Sequence, residues 1–196
     1  MLVAPALGAS AREARFGDGL PPTAAELAPA RALAAPRADR VLTAPSARCR
    51  LTAEALGLSP QVDPALADLD AGAWRGRPLA ELAATEPESI GAWLSDPAFA
   101  PPGGECVTAL LARVGAWLDA LPADSGRLLA VAEPAVVRAA AVHALTLPPA
   151  AFWRLDVAPL TVTSLSGRSG RWNLRCGAPL TALRSDATPA TSSTFD

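Results

Sequence analysis

The side chains with which this sequence could do chemistry are its carboxylates and its arginines. A carboxylate pair can act as general acid and base or hold a divalent cation, and an arginine fork can orient an anionic group. Two carboxylates without a third ligand make a poor cation site, so no metal and no cofactor is expected. All 17 basic residues are arginine. That excludes a phosphate-loop lysine, a Schiff-base lysine and a serine–lysine pair together. Cys49, Cys106 and Cys176 are odd in number and far apart, which suits neither zinc nor a disulfide framework. Cys49 and Cys106 read as packed thiols, although Cys106 falls at a helix start, where a thiolate is favoured. The only histidine, His143, reads as a satisfied helix residue.

Positioning such groups requires a scaffold, and the pattern of the chain predicts one. Leu2 and Val3 read as a short strand, followed by a polar loop around residues 15–19. A helix is predicted over 23–33, with Pro29 bending it or delaying its start. "RVLTAP" at 40–45 reads as a buried strand, and Ser46 is placed to cap a helix running to Leu56. Residues 60–78 show little periodicity and read as a connecting, pocket-lining segment, followed by short helices over 78–85 and 88–94. Val107, Leu110, Leu111, Val114, Trp117, Leu118 and Leu121 repeat at the spacing of one helical face, predicting a helix over 106–121. "RLLAVA" at 127–132 reads as a buried strand, and Pro134 suits the first turn of a helix reaching Leu145. Two strand-like runs, 160–165 and 171–175, flank a hairpin signal.

Strands alternating with helices predict one α/β domain over residues 1–178, a three-layer sandwich with a mainly parallel sheet and a C-terminal edge hairpin. The Ser/Thr-rich residues 179–196 read as a flexible tail. In such sheets ligands bind at the carboxyl ends of strands, here residues 4–6, 43–48 and 132–138. The 196 residues, 51% hydrophobic, suffice for one sizeable core. A net charge of -2 lacks the basic excess that binds nucleic acid or anionic lipid, and neither partner is expected. No window reaches the roughly 20 apolar residues of a membrane span, and residues 1–11 read as a strand rather than a signal peptide. The expected location is the reducing cytoplasm.

Several ordered motifs over residues 2–175 resemble the histidine phosphatase (phosphoglycerate mutase-like) superfamily. "TAPSARCRLTAEAL" at 43–56 is similar to that family's strand-Ser-Ser-Pro-x-x-Arg-x-x-x-Thr-Ala-Glu segment, with Arg48 at the phosphate-binding arginine. "ADLDAGAWRG" at 67–76 resembles its acid-x-x-x-Gly-x-Trp-Glu-Gly segment, with Asp68 at the acidic position. "PGGEC" at 102–106 resembles Pro-Gly-Gly-Glu-Ser. Leu2, Val3, Ala4, Pro5 and Ala6 align with Leu-Val-Arg-His-Gly, so Ala4 replaces an arginine and Pro5 the nucleophilic histidine. In "LLAVAEPAVVRAA" Glu133 and Pro134 stand for His-Gly, while Arg138 is kept.

The resemblance implies a phosphoglycerate mutase-like fold from which both catalytic histidines are missing. The implied function is a catalytically inactive pseudophosphatase acting by binding an unknown small molecule or protein, in a homo- or hetero-oligomer. The alternative is a non-phosphatase enzyme reusing the pocket, with Asp68 and Glu133 as acid and base and Arg48 as anion anchor. The implied pocket is Ala4, Pro5, Arg48, Asp68 and Glu133. The five tryptophans read as packing anchors, with Trp74 a candidate for the pocket mouth.

Overall fold

The computed structural model describes residues 1–182 apart from 18, 123, 125, 169 and 170. Its centre is a six-stranded sheet built from β1 (Leu2–Val3), β3 (Arg40–Thr43), β4 (Gln61–Val62), β5 (Leu128–Val131), β6 (Thr161–Arg168) and β7 (Arg171–Pro179). The spatial order is β4-β3-β5-β1-β6-β7. β4, β3, β5 and β1 run parallel, and β6 and β7 complete the sheet antiparallel as an edge hairpin. β5 sits between β3 and β1 with all four residues buried, as its unbroken Leu-Leu-Ala-Val run demands of a strand covered on both faces. Around the sheet, α2 (Ala24–Arg31) packs on α3 (Ala47–Ala55), and α6 (Val107–Asp119) on α7 (Pro134–Ala144). The expected three-layer α/β fold is present.

Local signals set the helix ends. The Thr23 hydroxyl accepts from the Glu26 amide while the Glu26 carboxylate accepts from the Thr23 amide, so α2 opens on a capping box. Ser46 caps α3, and Pro134 occupies the first turn of α7, where its missing N–H costs nothing. Pro29 lies inside α2 without ending it.

Some elements depart from expectation. Residues 9–12 form a one-turn helix, α1, ahead of the polar loop, and β4 forms within the segment read as connecting and pocket-lining. β2 (Leu33–Ala34) pairs with β8 (Thr181–Ala182), and Leu180 is buried. The domain boundary expected at 178 therefore falls inside β7, and β8 follows it at 181–182. The rest of the expected tail, 183–196, lies outside the described residues.

Trp74 does not line a pocket mouth. It is fully buried in a satellite cluster with Leu82, Ile90 and Trp93, against Phe16 and Phe99, and its indole N–H donates to Glu86 at 3.1 Å. The cluster lies under α4 (Leu79–Thr85) and α5 (Pro87–Ser95), whose short apolar faces need a partner of this size.

Candidate functional site at the carboxyl edge of the sheet

Parallel strands deliver their carboxyl ends to one edge, and the antiparallel β6 starts from that same edge. In spatial order the edge carries the segments after β4, β3, β5 and β1, then the segment leading into β6. The Ala4 amide donates to Thr161 O at 3.0 Å, and Ala4 O accepts from the Leu160 amide at 3.1 Å. The Ala6 amide donates to the buried Thr52 hydroxyl of α3 at 3.1 Å, tying the end of β1 to the helix after β3. Ala4 and Pro5 are buried and bring no ionisable group to the edge.

Glu133 is the N-cap of α7, yet its carboxylate does not cap its own helix. It reaches 85 residues back in sequence to α3. There its Oε1 accepts from Ser46 Oγ at 2.8 Å and from Arg48 Nε at 3.3 Å, and its Oε2 accepts from Arg48 Nη2. The pair is two-pronged, the geometry in which an arginine fork binds a carboxylate most strongly. Ser46 has a double duty, since its hydroxyl oxygen also accepts from the Cys49 amide at 3.1 Å as the cap of α3. The carboxylate thus lies near the positive ends of two helices as well as against a guanidinium. Glu133 is only 4% exposed at its side chain and Arg48 22%. Burial works against the Arg48 charge, but hydrogen bonding to Glu133 and its negative charge outweigh that, and the guanidinium pKa lies above its ordinary value.

Asp68 lies on the loop after β4, close enough for its charge to act on Arg48 and Glu133. Its carboxyl is raised from 3.8 to about 7, by desolvation first and by the Glu133 charge second. The residue is nevertheless exposed. Arg113 anchors this loop by pairing with Glu105 and donating to the carbonyls of Ala65 at 2.8 Å and Ala67 at 3.0 Å. The neighbouring Gly72, at φ +51, lets Pro102 O approach so closely that a Cβ there would stand 2.3 Å from it.

Of the five residues expected at the pocket, Arg48 and Glu133 are bonded to each other, Asp68 acts on both through its charge, and Ala4 and Pro5 follow the end of β1. Sequence reasoning missed Ser46 as a partner of Glu133, because a serine before a helix is fully explained as a cap. Of the cysteines, Cys49 is in the core, where burial and then the Glu133 charge push its thiol well up. Cys106 is the N-cap of α6, and its bond to the Thr108 hydroxyl, 3.1 Å away, holds its thiol below the ordinary range. His143 lies in the last turn of α7, ten residues from Glu133 and so about 15 Å along the helix. It pairs with Asp119 at 3.1 Å, away from the edge. Among the described residues no group of three or more His, Cys, Asp or Glu could hold a metal ion. No helix among them is long and apolar enough to cross a membrane.

This sheet order, with an edge hairpin and charged side chains collected at the strand ends, defines a phosphoglycerate mutase-like α/β protein. Residues 23–177 match the model of the histidine phosphatase superfamily (branch 1), and the chain belongs to that superfamily. Among solved structures it is similar to a putative α-ribazole-5'-phosphate phosphatase from Escherichia coli, with TM-score 0.80, 21% identity, and coverage of 94% of this chain and 97% of that one. The α-ribazole phosphatase from Shigella flexneri gives TM-score 0.79 at 19% identity, covering 94% and 98%. Mycobacterial glucosyl-3-phosphoglycerate phosphatase complexed with VO3 gives 0.76 at 24% identity, covering 91% and 97%. Over 62 residues the chain is 45% identical to the bifunctional protein Rv2228c of Mycobacterium tuberculosis. That stretch is 32% of this chain and spans only 17% of the relative.

Proposed function

We propose that this chain is a histidine phosphatase-fold protein without phosphatase activity, working by binding a small molecule or a protein partner. The observation that carries the reading is the Glu133 carboxylate held by the Arg48 fork and the Ser46 hydroxyl. An arginine that would otherwise attract a phosphate already has a tethered anion, and a second anion arriving there meets the charge of Glu133 as well as that of Arg48. The transfer step itself has no covalent acceptor, because the one imidazole of the chain is committed to Asp119 at the far end of α7. A reducing compartment suits three cysteines that are all free.

The test is turnover. Purified protein incubated with a panel of phosphate monoesters should release no phosphate above a protein-free control. Burst release of product, or a phosphorylated side chain trapped on acid quench, would overturn the proposal.

One observation favours a second reading, an enzyme of another class. Asp68, raised to about 7 beside the paired Glu133, is poised to exchange a proton near neutrality. On this reading Asp68 and Glu133 are the acid and base. A reaction whose rate titrates near pH 7 and is lost in Asp68→Asn would select it over pure binding.

A further inference from the structure

We infer that Arg138, not Arg48, is the anion anchor of this edge, and that it takes the carboxylate of a small monoanionic ligand. The inference rests on the proposed reading of the chain as a binding protein and adds the chemistry of what binds there. Four arginines among the described residues are partly buried and held by side-chain contacts, but their partners differ. Arg48 is paired with Glu133, Arg77 with Glu81 and Glu86, and Arg113 with Glu105. Arg138 is half-buried on α7, and no carboxylate among the described residues lies within ion-pair distance of it.

What Arg138 does contact orients it. Its Nε donates to Leu155 O at 2.7 Å, and its guanidinium carbon stands 5.8 Å from the centre of the Phe152 ring. Those contacts fix one side of the fork against the segment leading into β6, which meets the end of β1 through the Leu160 and Ala4 backbone. Among the described residues the remaining guanidinium N–H groups have no hydrogen-bond partner, and the side chains of Ala4 and Pro5 bring no donor to this edge. Burial lowers the Arg138 pKa, and the charges of Asp156 and Asp68 only partly offset this, so a bound anion relieves a cost the folded protein carries.

The surrounding charge selects the ligand. Asp156 and Asp68 both act on Arg138 through their charges, and their repulsion doubles for a dianion relative to a monoanion. A carboxylate matches the fork in both charge and geometry, whereas a phosphate dianion matches it in geometry alone.

Arginine side-chain N–H signals of the whole 15N-labelled protein provide the test, with the Arg138 and Arg48 signals identified by their loss in Arg138→Lys and Arg48→Lys. Titration with sodium acetate, ionic strength held constant with sodium chloride, should move the Arg138 Nε–H signal along a saturating curve while the Arg48 signal stays. Inorganic phosphate at the same ionic strength and pH 7.5 should move it at least threefold less at equal concentration. An Arg138 signal that ignores acetate, or that follows chloride equally, overturns the inference, as does a stronger response to phosphate. Since Arg138→Lys is used only for assignment, the decisive readout comes from the parent protein and does not depend on a variant folding. Movement of Arg48 instead of Arg138 would sink this inference and the Glu133 reading together, whereas phosphatase turnover with a saturating Arg138 response would sink only the proposed inactivity.

Discussion

Replacing Glu133 by glutamine keeps the shape of the side chain and removes the charge that compensates Arg48. In the parent the carboxylate is 4% exposed and accepts three hydrogen bonds, two of them from Arg48. Breaking a fully buried pair costs about 3–5 kcal/mol. Arg48 retains 22% exposure and the glutamine oxygen can still accept one bond, so the cost falls to about 1–3 kcal/mol. For a chain of this length that lowers the melting temperature by about 4–8 °C around the middle of the range. The variant should regain part of that loss with inorganic phosphate. A ligand that binds only the folded state adds RT ln(1 + [L]/Kd), about 2.7 kcal/mol at a hundredfold excess over Kd. Melting curves of parent and Glu133→Gln across a phosphate series, with ionic strength matched by sodium chloride, give both numbers. The phosphate-dependent rise should be larger in the variant. Equal rises would mean that Glu133 does not occupy the anion seat, and a variant as stable as the parent without phosphate would mean that the pair contributes nothing.

Asp68 gives a prediction in pH. Its folded-state pKa is raised from 3.8 to about 7, so between those values the folded protein binds more protons than the unfolded chain and loses stability as pH rises. Asp68→Asn should flatten the stability profile across about pH 4–7 and be more stable than the parent above pH 7; urea unfolding at a series of pH values reads it, and parallel profiles would refute it. At the far end of α7, a Cβ added to Gly115 would stand 2.5 Å from His143 Nδ1 and 2.8 Å from Cε1, on a ring pinned by Asp119. Gly115→Ala should cost about 1–3 kcal/mol, and adding His143→Ala should remove most of that penalty in a double-mutant cycle. Additive losses would show that the ring is not the obstacle.

The order of elements, their class and several of their ends are local properties, and the sequence alone determined them. Thr23 and Ser46 as caps, Pro134 at a first turn, the uninterrupted apolar run of β5 and the single apolar face of α6 each act through neighbours within a few residues. The resemblance of short motifs could likewise place Ala4, Pro5, Arg48, Asp68 and Glu133 at strand ends and loops, because parallel strands present those ends to one edge. Which groups then meet depends on strand order, and that no local pattern encodes. Only the placement of β5 between β3 and β1 carries Glu133 to Ser46 and Arg48, and only packing buries Trp74 and pairs Ala182 with Leu33. The charge state of Asp68 is a product of the same assembly. Its pKa is set by protein crowded around it and by a carboxylate 65 residues away in the chain, and both come into existence only when the sheet is built.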